Sequence, residues 1–168
     1  MLTVEDMYDV RDSKREICTA DPNMTVQAAS QLMAKLNIGA LPVVKGSRLV
    51  GIFSERDVMK RVVAKKLSVK TTKLKDVMTP DPISTTPDAP LYTVTEAMSE
   101  GHFRHMPIVD YNGDLLGIMS QRDFMTMTWK ETWQKFSKQS LLVFVKGRST
   151  FVAGAGIAAY IGVLALIF

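Results

Sequence analysis

Two short segments of the chain repeat the same order of serine, arginine and aspartate. They are Gly51-Ile-Phe-Ser-Glu-Arg-Asp57 and Gly117-Ile-Met-Ser-Gln-Arg-Asp123, and each residue of the second lies 66 positions after its counterpart. A serine hydroxyl can donate to a phosphate, an arginine can pair with it, and a carboxylate can accept two ribose hydroxyls. Serine and aspartate also cap helix N-termini. The spacing alone leaves both roles open.

Each motif is predicted to lie where an apolar strand ends and a helix begins, because the backbone N–H groups and the dipole there favour an anion. The same elements precede both motifs, with apolar residues at strand or helical spacing and with turn residues such as Asn112-Gly. Each unit is therefore predicted to be β-α-β-β-α. The predicted elements are Ile17–Ala20, Val26–Asn37, Ala40–Val44, Leu49–Phe53 and Val58–Ala64, then Ile83–Thr86, Leu91–His102, His105–Val109, Leu115–Met119 and a helix from Phe124.

The duplication predicts an α/β (α+β) fold in which two small repeats pack as a pseudo-symmetric pair. A unit of this size has a small core, so the two are expected to stabilise each other. The predicted organisation is an N-terminal segment (1–16), repeat 1 (17–64), a lysine-rich linker (65–76), repeat 2 (77–128), an amphipathic basic connector (129–148) and an apolar C-terminal segment (149–168).

Charge and composition exclude several classes of function. The formal net charge is +4, but residues 1–128 hold 16 basic and 16 acidic side chains, so the excess lies in the last 40 residues. A nucleic-acid binder would show a basic stripe on its folded domain, and nucleic acid is therefore not an expected partner. Cys18 is the single cysteine, and with His102 and His105 as the only histidines no metal site is expected.

Residues 149–168 carry no charge and would span about 30 Å as a helix, which matches a bilayer core. Lys146 and Arg148 precede them, so the positive-inside tendency places the N-terminal part on the cytosolic or matrix side of a single-pass protein. The alternative is a buried apolar helix of a soluble oligomer. Gly154, Ala158 and Gly162 recur every four residues, which either admits a partner helix or reflects the abundance of small residues in membrane helices.

The repeats resemble the cystathionine-beta-synthase (CBS) domain family, and together they resemble its tandem pair, the Bateman module. The resemblance rests on three segments: 38–57, with Ile38-Gly-Ala-Leu-Pro-Val-Val44; 101–123, with His105-Met-Pro-Ile-Val-Asp110; and Val77-Met-Thr-Pro-Asp-Pro-Ile83. One departure is Pro90, which stands where the family usually begins its first helix with Thr.

The resemblance implies a regulatory, non-enzymatic module whose two clefts hold an adenine nucleotide: AMP, ADP, ATP or S-adenosylmethionine. By position, the aspartates would hold ribose, the serines would lie near ribose or phosphate, and the other residues would frame the base and sugar or pair with phosphate. The implied nucleotide-binding residues are Thr19, Ala40, Ser54, Arg56, Asp57, Ser84, Arg104, His105, Ser120, Arg122 and Asp123. The family also implies a homodimer through its helices.

Two hypotheses of function follow. The first is a membrane-anchored CBS pair that senses an adenine nucleotide and modulates a membrane partner. The alternative is an accessory structural subunit of a larger membrane complex, such as a respiratory or ATP-synthesising one, in which the pair is a docking surface and the tail contacts partner transmembrane helices. The short, moderately apolar tail after basic residues suits a mitochondrial membrane.

Overall fold

The computed structural model describes residues 2–10 and 17–126. The helices are α1 (Val4–Val10), α2 (Val26–Leu36), α3 (Glu55–Asp57), α4 (Leu74–Val77) and α5 (Leu91–Glu100). The strands are β1 (Ala40–Lys45) and β2 (Arg48–Ser54) after α2, β3 (Thr79–Pro80) after α4, and β4 (His105–Val109) and β5 (Leu115–Ser120) after α5. A π-helix (Val58–Val63) continues α3, and residues 121–126 are helical. The predicted connector 129–148 and apolar segment 149–168 lie outside the described residues.

The two repeats have matching backbone arrangements. In repeat 1, β1 and β2 are antiparallel and Ala20 bridges Val43 in parallel. In repeat 2, β4 and β5 are antiparallel and Thr85 bridges Ile108 in parallel. The strand register slips at the same place in both hairpins, just before Val44 and Val109. The predicted α/β fold is confirmed. The predicted first strand of each unit, Ile17–Ala20 and Ile83–Thr86, is reduced to a single bridging residue, because only Ala20 and Thr85 make backbone hydrogen bonds to the neighbouring strand.

Helix α2 begins at the predicted Val26, and its N-cap Thr25 accepts a hydrogen bond from the backbone N–H of Ala28 at 3.2 Å. The matching N-cap of α5 is Pro90, whose side chain has no acceptor. In both helices a distant carbonyl accepts the first N–H. Val26 N–H donates to Thr72 at 3.0 Å, and Leu91 N–H donates to Leu2 at 3.0 Å.

Thr72 lies just before α4, and Leu2 lies just before α1. Each of these short helices packs on the repeat other than the one that it precedes in the chain. Helix α4 precedes repeat 2, yet Leu74 and Val77 lie in the core of repeat 1 with Phe53 and Met33. Helix α1 precedes repeat 1, yet Val4 N–H donates to Ala89 of repeat 2 at 3.0 Å. Helix α1 thus packs on repeat 2.

Each repeat is built on its own set of buried apolar side chains. Repeat 1 buries Val26, Leu41, Val43, Phe53 and Val62. Repeat 2 buries Leu91, Val94, Met98, Met106, Ile108 and Met119. Four methionines, Met33, Met98, Met106 and Met119, are also buried. Within residues 2–10 and 17–126, no helix has both the length and the apolar character needed to cross a bilayer.

Candidate functional site

Ser54 and Asp57 meet where β2 ends and α3 begins. Ser54 is the N-cap, and its backbone N–H and its hydroxyl both donate to Oδ2 of Asp57, at 2.9 and 2.7 Å. Asp57 is only 7% exposed. A carboxylate in the first helical turn is favoured by the helix dipole. The capping role that the sequence left open is therefore observed at Asp57, whereas its role towards ribose stays a prediction.

The other oxygen of Asp57 faces a residue that the sequence analysis missed. Nε of Arg61 lies 3.4 Å from Oδ1 of Asp57, at the i,i+4 spacing. The same guanidinium donates to the backbone carbonyls of Val77, at 3.1 Å, and Met78. Arg61 thus joins the helix that begins at the site to the segment that leads into repeat 2. The i,i+4 spacing of opposite charges was the available sequence signal.

The end of β5 in repeat 2 has the same construction. The backbone N–H of Ser120 donates to Oδ2 of Asp123 at 2.8 Å. Asp123 is half-buried, so it is more accessible than Asp57. The residue after each serine makes an equivalent backbone hydrogen bond across its hairpin. Glu55 N–H donates to the carbonyl of Gly39 at 3.1 Å, and Gln121 N–H donates to the backbone carbonyl of Arg104 at 3.0 Å.

The remaining residues of the predicted set fall into one group in each repeat. Ala40 is buried and lies opposite Ser54 in the sheet, and His105 lies opposite Ser120 in the same way. Thr19 and Ser84 each stand one residue before the parallel bridge of their repeat. The first group is Thr19, Ala40, Ser54 and Asp57, and the second is Ser84, His105, Ser120 and Asp123.

Two of the three predicted phosphate-binding arginines cross between the repeats. The guanidinium of Arg56 donates to the backbone carbonyl of His102. The guanidinium of Arg104 lies 3.7 Å from the carboxylate of Glu55, and both side chains are more than half exposed. An exposed ion pair of this kind is weak, so Arg104 can exchange Glu55 for another anion at little cost. Arg122, the third, is also exposed.

His105 packs against the backbone of the other repeat. A Cβ added to Gly39 would lie 3.3 Å from Cε1 of His105, so a side chain at position 39 would crowd the imidazole. Burial lowers the pKa of His105 from its usual 6.5; the positive charge of Arg104 lowers the pKa further, and the negative charge of Glu55 opposes both effects. The imidazole is therefore neutral at pH 7, with one nitrogen free to accept a hydrogen bond.

The duplicated fold and site identify the chain as a tandem pair of CBS domains. The sequence profile of the CBS domain family matches residues 4–64 and 74–145, which is most of the chain. The chain belongs to the CBS domain family.

Curated relatives agree with this assignment. The chain is 34% identical over 118 residues to the CBS domain-containing protein YhcV of Bacillus subtilis, which covers 70% of this chain and 83% of that protein. It is 31% identical over 135 residues to the mitochondrial CBS domain-containing protein CBSX3 of Arabidopsis thaliana, which covers 77% of this chain and 63% of that protein.

Several other relatives are much longer than this chain. It spans 19% of an Arabidopsis thaliana protein, CBSCBSPB1, and 22% of an inosine-5'-monophosphate dehydrogenase from Thermoplasma acidophilum. CBS domains thus also occur inside enzymes. The similarity to the dehydrogenase covers about a fifth of it and transfers no catalytic activity to this chain.

Solved structures share both the fold and the pairing of repeats. A protein with CBS domains from Burkholderia ambifaria has a TM-score of 0.71 and 34% identity, covering 76% of this chain and 93% of that one. A Pyrobaculum aerophilum CBS protein complexed with AMP has a TM-score of 0.64 and 25% identity, covering 73% and 89%. The CBS domain pair of protein MJ0100, solved with 5-methylthioadenosine and S-adenosyl-L-methionine, has a TM-score of 0.66 and 25% identity, covering 78% and 98%.

Proposed function

We propose that this CBS pair is a regulatory module that binds an adenine nucleotide (AMP, ADP or ATP) or S-adenosylmethionine, and that it modulates a partner at a membrane. The observation that carries the proposal is the duplicated junction, in which Ser54 and Asp57, and likewise Ser120 and Asp123, meet at the end of a strand beside a helix start. Related CBS pairs solved with AMP and with S-adenosyl-L-methionine support the class of ligand.

Each group of residues has a role in this proposal. Asp57 or Asp123 accepts the ribose hydroxyls, and the adjacent serine lies near ribose or phosphate. The phosphate is bound by arginines that now make weak or replaceable contacts, such as Arg104 with Glu55. Neutral His105 and the buried Ala40 frame the base or sugar.

Binding would act on the contacts that join the repeats. Arg56 donates to the carbonyl of His102, and Arg104 pairs with Glu55, so two of the three candidate phosphate-binding arginines already link repeat 1 to repeat 2. A nucleotide that draws either arginine to its phosphate would change the relative stability of two arrangements of the repeats. The size of the shift is set by the difference in nucleotide affinity between those arrangements.

Isothermal titration of the full-length protein in mild detergent, with AMP, ADP, ATP and S-adenosylmethionine in turn, tests nucleotide binding. We expect a binding heat and a raised melting temperature with at least one of the four. The double variant Asp57→Asn, Asp123→Asn should lose both responses, and Glu96→Gln on the exposed face of α5 is the matched control. Absence of heat and of thermal shift with all four would refute the sensor function.

Membrane attachment through residues 149–168 is the second part of the proposal. The support is the length of the uncharged segment and the basic residues Lys146 and Arg148 before it. We expect the full-length protein to remain in the membrane pellet after alkaline carbonate extraction, and a chain ending at residue 148 to be released. Release of both would refute a transmembrane anchor. The mitochondrial name of the Arabidopsis relative supports a mitochondrial membrane, which fractionation tests.

A structural role in a membrane complex is the alternative function, and the repeat of Gly154, Ala158 and Gly162 is the observation that favours it. Native electrophoresis after mild detergent extraction separates the alternatives. Migration with a large complex supports the subunit, whereas migration as a dimer supports the family's homodimer. Ala158→Leu should release the protein from the complex, while Ala159→Leu, on a different helical face, should not.

A further inference from the structure

The segment that the sequence predicted to be a lysine-rich linker, residues 65–76, is folded against repeat 1. Gln27 N–H of α2 donates to the backbone carbonyl of Val69 at 2.9 Å. On either side of this bond, the side chains of Val62 and Leu74 are fully buried in the core of repeat 1. The segment between them therefore has a fixed shape and is not a free linker.

Basic charge is concentrated in and just before this segment. Residues 58–75 hold seven basic and no acidic side chains, so the rest of residues 1–128 holds nine basic and 16 acidic ones. Four of the seven are exposed lysines: Lys60, Lys65, Lys66 and Lys70. In the part of the chain that the structure describes, none of these four forms an ion pair with a carboxylate. The overall charge balance of the two repeats thus conceals one strongly basic surface.

Large apolar side chains are exposed beside these lysines. They are Met59, Val63, Leu67 and Val69, which are between 39 and 61% exposed. Among the described residues, eleven large apolar side chains are exposed, and four of them lie within these eleven positions of the chain. Such a cluster marks an interaction site more often than scattered apolar residues do. We call these four side chains and the four exposed lysines together the lysine surface.

The composition of the lysine surface favours an anionic bilayer over nucleic acid. A lysine beside anionic headgroups raises membrane affinity about fivefold, and apolar side chains can enter the boundary of the acyl chains. Single-stranded nucleic acid is bound largely by aromatic stacking, and residues 58–75 contain no aromatic side chain. Their one arginine, Arg61, donates to the carbonyls of Val77 and Met78. The same chain also carries the uncharged segment 149–168, whose length matches a bilayer core.

We propose that the lysine surface docks repeat 1 on a bilayer that contains anionic phospholipid. This inference rests on the proposed action at a membrane, and it adds a contact that the folded repeats make themselves. Because the segment is already held by α2 and by the buried Val62 and Leu74, little backbone freedom is lost on docking. Because the attraction is electrostatic, docking weakens as the salt concentration rises.

Lysine acetylation of the full-length protein, read by mass spectrometry, tests the docking. The protein is reconstituted with vesicles of three parts phosphatidylcholine to one part phosphatidylserine, or of phosphatidylcholine alone. We expect the anionic vesicles to slow acetylation of Lys60, Lys65, Lys66 and Lys70 about tenfold. This protection should disappear at ~1 M salt, where the Debye length is about 3 Å. Lys35 and Lys45, which are exposed elsewhere in repeat 1, should react equally with both vesicles.

Two triple variants separate charge from other properties of the lysines. When Lys65, Lys66 and Lys70 are all changed to Gln, the protection of Lys60 by anionic vesicles should be lost. When the same three are changed to Arg, which keeps the charge, that protection should persist. All three side chains are exposed, so both variants should melt at the wild-type temperature. Met59→Gln should reduce the protection of Lys60 at unchanged charge, because it removes an apolar side chain from the surface.

The outcomes separate this inference from the transmembrane anchor. Equal acetylation with the two kinds of vesicle would overturn the docking surface, even if carbonate extraction shows that residues 149–168 hold the protein in the membrane. Protected lysines support the surface even if carbonate releases the full-length protein, because alkaline carbonate also releases peripheral contacts. Protection by single-stranded RNA at the same phosphate concentration, with none by anionic vesicles, would assign the surface to nucleic acid and overturn the proposal.

Discussion

The hydroxyl of Ser47 donates to the carboxylate of Asp114 at 2.8 Å and joins the turn of the first hairpin to the turn of the second. Two backbone hydrogen bonds flank this contact. Leu49 N–H donates to the carbonyl of Gly113 at 3.1 Å, and Leu115 N–H donates to the backbone carbonyl of Ser47 at 2.9 Å. The Asn-Gly turn that the sequence predicted thus also serves as a contact between the repeats. Its Gly113 has a φ of 86°, which a residue with a side chain rarely adopts.

Removal of the Ser47 hydroxyl should weaken the pairing of the repeats. We expect Ser47→Ala to lower the free energy of unfolding by about 0.5–1 kcal/mol, because water replaces the hydroxyl as donor to this exposed carboxylate. Urea unfolding measures the change, and Ser99→Ala at the exposed end of α5 is the control. In a double-mutant cycle, Asp114→Ala should remove most of the effect of Ser47→Ala. Additive losses would show that the bond contributes nothing.

Gly51 lies in close contact with Met78, at the start of repeat 2. A Cβ at this position would lie 2.4 Å from Sδ of Met78. Gly51→Ala should therefore cost about 1–3 kcal/mol of unfolding free energy, because the methionine must move. Met78→Ala creates space, so the double variant should lose less stability than the sum of the single variants. Thermal unfolding of all four proteins measures this, and additivity would contradict the predicted clash.

Val4 should stabilise repeat 2 although it precedes repeat 1. It is fully buried, and its N–H donates to Ala89. Val4→Ala should cost about 1–3 kcal/mol, and amide exchange should accelerate in α5 more than in α2. Leu2→Ala is the matched control, because the Leu2 side chain is 44% exposed. Faster amide exchange confined to α2 would contradict the packing of α1 on repeat 2.

His105 should make stability depend on pH. Since burial lowers its pKa in the folded protein, the unfolded chain binds more protons as the pH falls through 6.5. The free energy of unfolding should therefore decrease from pH 7 towards pH 5, and His105→Gln should reduce that slope. His102→Asn is the control: His102 is exposed, and its left-handed φ of 53° matches that of Asn37 at the same place in repeat 1. An equal slope in wild type and His105→Gln would rule out this residue as the cause.

Local patterns were sufficient to predict most of the repeated elements. Helical spacing of apolar residues predicted α2 and α5, and apolar strands on either side of turns at Gly46 and Gly113 predicted both hairpins. The helix after Asp57 begins earlier than predicted, at Glu55, because Ser54 is the N-cap. Helices α1 and α4 were missed because each is short and is held mainly by contacts with distant residues, such as those of Leu74 with the core of repeat 1.

The sequence by itself determined that one unit is used twice and that each copy places a serine and an aspartate at a strand end, because periodicity and spacing are local properties. Only the tertiary structure decided which partners those residues have. Asp57 is covered by Ser54 and Arg61, Arg104 reaches Glu55, and α1 lies on repeat 2. These contacts join residues far apart in the chain or depend on burial, and both arise from packing.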